Sequence, residues 1–142
     1  YWKLGKIIVI PTNAGWKLDK TNVMGRGLAL QASREIPDLP AIYGARCIQK
    51  DPYFYYKEKR LVMIPSKPLD VEHPWLSWQQ SSRVGTVVES LGWLQANVGL
   101  FDTDVYVPVI GSGNGGLDKF LIKKRMDEIL TDPKFIGVDY GK

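Results

Sequence analysis

The sequence holds one cysteine, Cys47, and one histidine, His73, among its 142 residues. A lone thiol excludes an internal disulfide, and one Cys with one His cannot supply the ligands of a structural zinc site. No metal is therefore expected, and no cofactor. Long apolar runs are also lacking: none approaches the roughly 20 residues that span a bilayer. No signal-peptide pattern is read at the start, and there is no repeat, low-complexity tract or domain linker. The expectation is a soluble, cytoplasmic monomer with no membrane partner, folded as a single domain over residues 1–142. What is present agrees with that. Apolar residues make up 44% and charged residues 24%, an ordinary globular balance that argues against disorder. Nineteen Lys and Arg against fifteen Asp and Glu leave a net charge of +4, which suits a polyanionic or phosphate-bearing partner.

Period and punctuation predict alternating strands and helices. Residues 6–10 form a short apolar run, expected as a strand buried on both faces and stopped by Pro11. A helix is expected over 28–36, ended before Pro37. Residues 41–47 are ambiguous. Residues 53–56 have strand propensity, and 60–64 read as a second buried strand stopped by Pro65. A loop over 66–77 leads to a helix over 78–97 with Val84, Val87, Val88, Leu91 and Leu94 on one face. Residues 104–110 read as a third buried strand, 120–130 as a basic amphipathic helix, and 135–140 as a last short strand. The order implies an α/β sandwich around a mixed, mostly parallel sheet.

Two glycine loops stand at strand-to-helix transitions. Gly111, Ser112, Gly113, Asn114, Gly115 and Gly116 follow the third buried strand. Glycines allow left-handed backbone and close approach to a ligand, and successive amides beside a helix N-terminus make a site for phosphate. A tight turn is the plainer reading, but four glycines in six residues exceed what a turn needs. Val23, Met24, Gly25, Arg26 and Gly27 repeat the arrangement before the first helix. In a parallel sheet the two loops would lie side by side and could grip a diphosphate from both sides. Neither carries the G-K-[ST] signature of a triphosphatase. Gly111, Gly113 and Gly116 also satisfy G-x-G-x-x-G, with Asp139 at the end of the next strand as a possible ribose acid. A dinucleotide fold, however, opens on that motif and adds several strands after it.

Four segments together carry a resemblance: Asn13 after the first strand, then 22–31, then 64–67, then 108–118. In this order they resemble the macrodomain family, most closely its branch of DNA ADP-ribosyl glycohydrolase antitoxins (DarG-type) and the related terminal-ADP-ribose protein glycohydrolases. The resemblance implies a three-layer α/β/α sandwich that binds ADP-ribose above the sheet. It places the pyrophosphate within 111–116, flanked by Pro108 and Leu117. Residues 23–27, with Asn22 before them, wrap the pyrophosphate and the distal ribose, which Asn13 contacts. It implies removal of ADP-ribose from a modified macromolecule, with ADP-ribosylated DNA the favoured substrate, and a toxin ADP-ribosyltransferase as partner. A binding-only module and a hydrolase of free ADP-ribose derivatives are the alternatives. The chain departs from the family at Gly5 and Lys6, where a Gly-Asp pair for adenine would be sought, and at 15–21, which resembles an insertion.

Lys67 and Asp118 are the candidate catalytic residues. By itself Lys67 reads as a solvated loop lysine. The resemblance gives it a role at the anomeric carbon of the distal ribose, where the glycosidic bond breaks through an oxocarbenium-like state. A lysine of lowered pKa could attack there, or act through its charge. Asp118 reads equally as a helix N-cap and as the carboxylate that moves protons beside the ribose. Cys47 is expected to be a buried, inert thiol. Trp75 and Trp78 either pack the loop after Lys67 or stack on a base. The aromatic run 53–56 with Lys57, Lys59 and Arg60 reads as a strand and charged turn before it reads as a nucleic-acid platform. A Ser–His–Asp set built on His73 stays open, although no serine lies in a nucleophile-elbow motif.

Overall fold

The structure is a computed structural model that describes residues 5–111 and 116–138. Nine elements carry the fold: β1 (Ile7–Asn13), α1 (Gly27–Glu35), α2 (Leu39–Ile48), β2 (Phe54–Tyr56), β3 (Leu61–Lys67), α3 (Val84–Ala96), β4 (Val105–Pro108), α4 (Lys119–Ile129) and β5 (Phe135–Val138). The strands form one sheet in the order β2-β3-β1-β4-β5. All neighbours are parallel except β2, which pairs antiparallel with β3.

Side-chain alternation along the strands builds the three layers. Ile7 and Val9 of β1, Val62 and Ile64 of β3, and Val105 and Val107 of β4 face α3 and α4, where Val87, Leu91, Leu94, Ile122 and Met126 cover them. Ile8, Ile10, Leu61 and Met63 face the other way, onto Ala32 of α1 and Leu39, Tyr43 and Cys47 of α2. The expected α/β/α sandwich with a mixed, mostly parallel sheet is thus the observed one. Burying each large aliphatic contributes roughly 1.5–3 kcal/mol.

Several element bounds differ from expectation. β1 runs through Pro11 and β3 through Pro65. A proline lacks the ladder N–H and is disfavoured in a central strand. Here β4 pairs with β1 only at Ile7 and Ile8, and β2 pairs with β3 only at 61–63. Beyond those points β1 and β3 have only each other, so both prolines stand on local edges. Pro11 lies opposite Ile64 and Thr12 opposite Pro65, and a bulge at Ser66 then brings Asn13 level with Lys67. The ambiguous 41–47 stretch is helical, with Pro40 in the first turn of α2, where its missing N–H is tolerated. The helix expected over 78–97 is two pieces: a 3-10 helix over Pro74–Gln79, then α3 from Val84. Gln80 is extended, and Ser82 turns inward. The third buried strand ends at Pro108 rather than 110, although Ile110 stays in the core. Residues 139 and 140 of the expected last strand lie outside the described residues, as does Asp139 as a ribose acid. The glycine motif at 111–116 follows the fourth strand of the sheet, with β5 after it, which is not how a dinucleotide fold is built.

The C-terminal ends of β3, β1 and β4 lie at one edge of the sheet, and the connections 68–83, 14–26 and 109–118 leave from there. Gly44 of α2 supports the 14–26 connection. A Cβ at this position would stand 2.1 Å from the Lys20 carbonyl oxygen and 2.9 Å from the Asn22 amide nitrogen, both backbone. Gly92, inside α3, has open space around its missing Cβ. We therefore expect opposite outcomes in urea unfolding. Gly44→Ala should destabilise by about 1–3 kcal/mol despite the better helix former. Gly92→Ala should stabilise by about 0.5–1 kcal/mol.

Candidate functional site

Two buried asparagines shape the floor of this edge. The Asn22 side-chain amide donates to the carbonyl oxygens of Asn13 (3.0 Å) and Gly15 (2.8 Å). Asn13 accepts from the Gly15 amide (3.0 Å) and donates from Nδ2 to the Val23 carbonyl (2.9 Å). Both ends of the Asn13 amide are thereby engaged by the chain, and its role in the structure is to hold residues 13–15 and 22–23 together. Met24 is buried against the α1/α2 side of the sheet. Gly25, Arg26 and Gly27 then rise into solvent. Gly27 opens α1 at φ +56°, a left-handed angle that favours glycine, and no side chain caps the helix. The first amides of α1 are thus oriented as an anion would need them.

The second loop closes at its neck. The Leu117 amide donates to the Gly111 carbonyl (2.9 Å), with Gly111 at φ +81° and Gly116 at φ +80°. A Cβ on Gly111 would meet Leu117 Cδ1 at 2.9 Å and Ser82 Cβ at 3.1 Å, so glycine is required there for space as well as for angle. Ser112, Gly113, Asn114 and Gly115 lie outside the described residues. Pro108 is buried at the end of β4, level with Val138. Ser82, against which Gly111 rests, has its hydroxyl 3.4 Å from that of Ser66, and the Arg83 amide donates to the Ser66 carbonyl (3.2 Å). These contacts tie the neck of the 111–116 loop to the end of β3, one residue before Lys67.

Lys67 is half-buried and donates from Nζ to the Trp78 carbonyl (3.0 Å). Burial first, and the nearby positive charge of Arg26 second, hold its pKa below the usual lysine value. The structure thus brings Asn13, Asn22, residues 23–27, Gly111 and Lys67 to one end of the sheet. It does not join Asp118 to Lys67 by a hydrogen bond or ion pair. Asp118 is the N-cap of α4, its Oδ1 accepting from the amides of Phe120 (2.8 Å) and Leu121 (3.4 Å). This is the capping reading, and it stabilises such a helix by about 0.5–2 kcal/mol.

The remaining candidates separate. Cys47 is buried, and desolvation pushes its thiol up to about 12. His73 packs edge-on against Trp75 and lies 3.8 Å from Asp70. Among the described residues no serine hydroxyl bonds to it: the buried Ser77 hydroxyl instead accepts from the Asp70 amide (2.9 Å). Tyr55 and Tyr53 pack inward, on Phe101 and Trp93, which supports the strand reading of 53–56. Among the described residues no cluster of three or more His, Cys, Asp or Glu is placed to hold a metal ion, and no helix is long and apolar enough to cross a membrane.

One support was not visible in the sequence. A Cβ on Gly15 would stand 2.1 Å from the Pro74 carbonyl oxygen and 2.3 Å from the Ser77 hydroxyl oxygen. The 15–21 segment is therefore pressed onto the 3-10 helix that carries the Lys67 acceptor. A single Gly and a single Ser, some sixty residues apart, give no local pattern to read.

A five-stranded sheet of this order, covered by helices on both faces, with glycine loops leaving β1 and β4 beside an amine on β3, is the macrodomain architecture. The chain has the macrodomain α/β fold and is similar to the DarG macrodomains. It superposes on the macrodomain of Thermus aquaticus DarG with a TM-score of 0.73, at 25% identity over 96% of this chain and 89% of that one. It superposes on Thermosipho africanus DarTG in complex with ADP-ribose with a TM-score of 0.71, at 19% identity over 94% of this chain and 37% of that one. Among curated proteins it matches a DNA ADP-ribosyl transferase-DNA ADP-ribosyl glycohydrolase fusion protein of Thermosipho africanus, 26% identical over 134 residues. That alignment takes in 80% of this chain and 34% of the relative, so the chain spans about a third of the curated relative's length. No family model matches the sequence.

The environment of Lys67 can be measured. Its amine should titrate below the ordinary lysine value of about 10.4. In Arg26→Ala, NMR titration of the Lys67 side chain should show the midpoint moving partway back up, since burial persists. A lowered folded-state pKa for an amine opposes folding while the amine is charged in both states. Its contribution becomes less unfavourable as pH rises from the folded toward the unfolded pKa, so the Lys67-dependent part of stability should increase on the alkaline side. An unchanged midpoint in Arg26→Ala would show that the guanidinium does not act on Lys67.

Proposed function

We propose that this macrodomain binds ADP-ribose through its diphosphate and removes it from DNA as a DNA ADP-ribosyl glycohydrolase. One observation carries the reading. Lys67, its pKa lowered, stands at the end of β3 level with Asn13, one residue after the Ser66 that contacts Ser82 beneath Gly111, in a chain similar to DarG macrodomains. The printed identities of the relatives, a DarTG in complex with ADP-ribose and a transferase–glycohydrolase fusion, support the ligand and the reaction class.

In this reading the amides of 25–27 and 111–116 receive the diphosphate, and the Asn13–Asn22 bonds keep the first of these loops in place. Val23, Met24, Pro108 and Leu117 shape the flanks. The distal ribose then faces Lys67. The bond from its anomeric carbon to the base breaks as positive charge develops on the ribose. Water adds to that carbon, one water proton returns to the departing base, and free ADP-ribose results. Lys67 acts at the anomeric carbon as an amine of raised availability, and Arg26 both lowers its pKa and draws in phosphate. Asp118 supplies the carboxylate that moves the proton, from its place at the start of α4. The partner class is a DNA ADP-ribosyltransferase, the activity to which the curated relative's glycohydrolase is fused.

A second reading, a module that binds ADP-ribose without cleaving it, is favoured by Asp118: its Oδ1 serves the α4 cap, and no bond links it to Lys67. Calorimetry with ADP-ribose and incubation with ADP-ribosylated single-stranded DNA separate the two. Lys67→Ala should keep ADP-ribose affinity within a few-fold and lose release of ADP-ribose by about 10²–10⁴-fold. Wild-type binding without release from DNA would establish the module.

A further inference from the structure

The connection between β3 and α3 carries two partly exposed tryptophans that lie outside the two hydrophobic clusters of the core. Trp75 is 41% and Trp78 40% exposed. Both belong to the 3-10 helix over Pro74–Gln79. With three residues per turn, positions i and i+3 eclipse, and a rise of about 2.0 Å per residue sets them about 6 Å apart along the axis. The two indoles therefore leave the same side of the helix, separated by nearly two of the roughly 3.4 Å intervals at which bases stack. His73 braces Trp75 edge-on at 5.4 Å. The backbone below is pinned by Gly15 against Pro74 and Ser77, and the Trp78 carbonyl holds the Lys67 amine.

The surroundings are basic. Arg26 acts electrostatically on Lys67, the Arg83 amide donates to the Ser66 carbonyl beside Lys67, Lys17 follows two residues after the Gly15 that rests on Pro74, and Lys20 continues that segment with its carbonyl against Gly44 of α2. Among the described residues, Lys17 pairs with Asp19 at 4.0 Å, and the other three have no ion-pair partner. Of the facing acids, Asp19 is held by the Thr21 amide and hydroxyl, and Asp70 by the His73 amide and the Gln80 side chain. Glu72 is the remaining one, in solvent. Partly exposed indoles with cations nearby fit a single strand: bases stack on the rings while the cations follow the phosphates. A globular protein partner would offer no comparable reason for the cations.

We propose that Trp75 and Trp78 form a stacking shelf for the unmodified nucleotides next to the ADP-ribosylated one, with Arg26, Arg83, Lys17 and Lys20 along the backbone path. This deepens the DNA glycohydrolase reading and rests on it for the identity of the strand. The shelf gives that site its preference for single-stranded DNA, because paired bases offer no free face to the rings.

Fluorescence anisotropy with an unmodified, labelled single-stranded DNA of about ten nucleotides tests the shelf without requiring cleavage. The double variant Trp75→Leu/Trp78→Leu should weaken binding about tenfold or more. Trp75→Phe/Trp78→Phe should restore most of it, and Leu100→Ala, an exposed aliphatic beyond the far end of α3, should match wild type. Unlabelled duplex of the same sequence should compete poorly with wild type, a result that needs no variant to fold. Absence of wild-type binding, equal competition by duplex, or unaltered affinity in the Leu double variant would each overturn the shelf. DNA binding through the tryptophans without release of ADP-ribose would remove the glycohydrolase reading and leave the shelf. Release that is equally fast from a modified mononucleoside and a modified strand, with no tryptophan-dependent binding, would do the reverse.

Discussion

The site depends on one amide. Asn22, 2% exposed, sends its side-chain N–H groups to the Asn13 and Gly15 carbonyls, and the Asn13 side chain extends the connection to Val23. Hydrogen bonds of this kind contribute about 1 kcal/mol each, but removing one partner leaves buried groups unmet at larger cost. They turn the thirteen-residue passage between β1 and α1 into a defined shape. With Met24 and the Asn22 backbone amide's bond to the Pro40 carbonyl (2.9 Å), they hold Gly25 to Gly27 at the end of the sheet. The loop has no core of its own: Met24 is its anchor in the α1/α2 layer.

The second determinant is the shared register of β1 and β3 beyond their prolines. Pro11 and Pro65 look like strand terminators, yet each sits where a neighbour has already departed. The pair therefore continues alone for a few residues and carries Asn13 and Lys67 past the body of the sheet. Ser90 of α3 donates to the Pro65 carbonyl (2.6 Å), so this extension is also held from the α3 layer. The outcome is an amine delivered to the mouth of the cleft by regular strand geometry rather than by a flexible loop.

The same particulars explain what the sequence conveyed. The apolar runs at 7–10, 61–64 and 105–107 are legible because parallel strands buried on both faces need them. The glycine loops are legible because close approach and left-handed angles leave few residue choices, as Gly27 and Gly111 show. Strand ends were less so, because a proline's effect depends on whether a neighbouring strand is still alongside. The break at 80–83 is a short polar stretch that could equally be the solvated face of a longer helix, and Ser82 acts through tertiary contacts with Ser66 and Gly111. Asn13 was read as a ligand contact, while its observed bonds run to Gly15 and Val23. Asp118 offered two roles, of which the structure displays the cap.

Cys47 carries a last consequence. It is 1% exposed, sits against Tyr43 and Asn22, and keeps its proton far above neutrality. Oxidants and alkylating agents attack the thiolate, and this sulfur offers almost none. It is the sole sulfhydryl in the sequence, so cross-linking or oxidation through cysteine would first require the α2 layer to open and expose it.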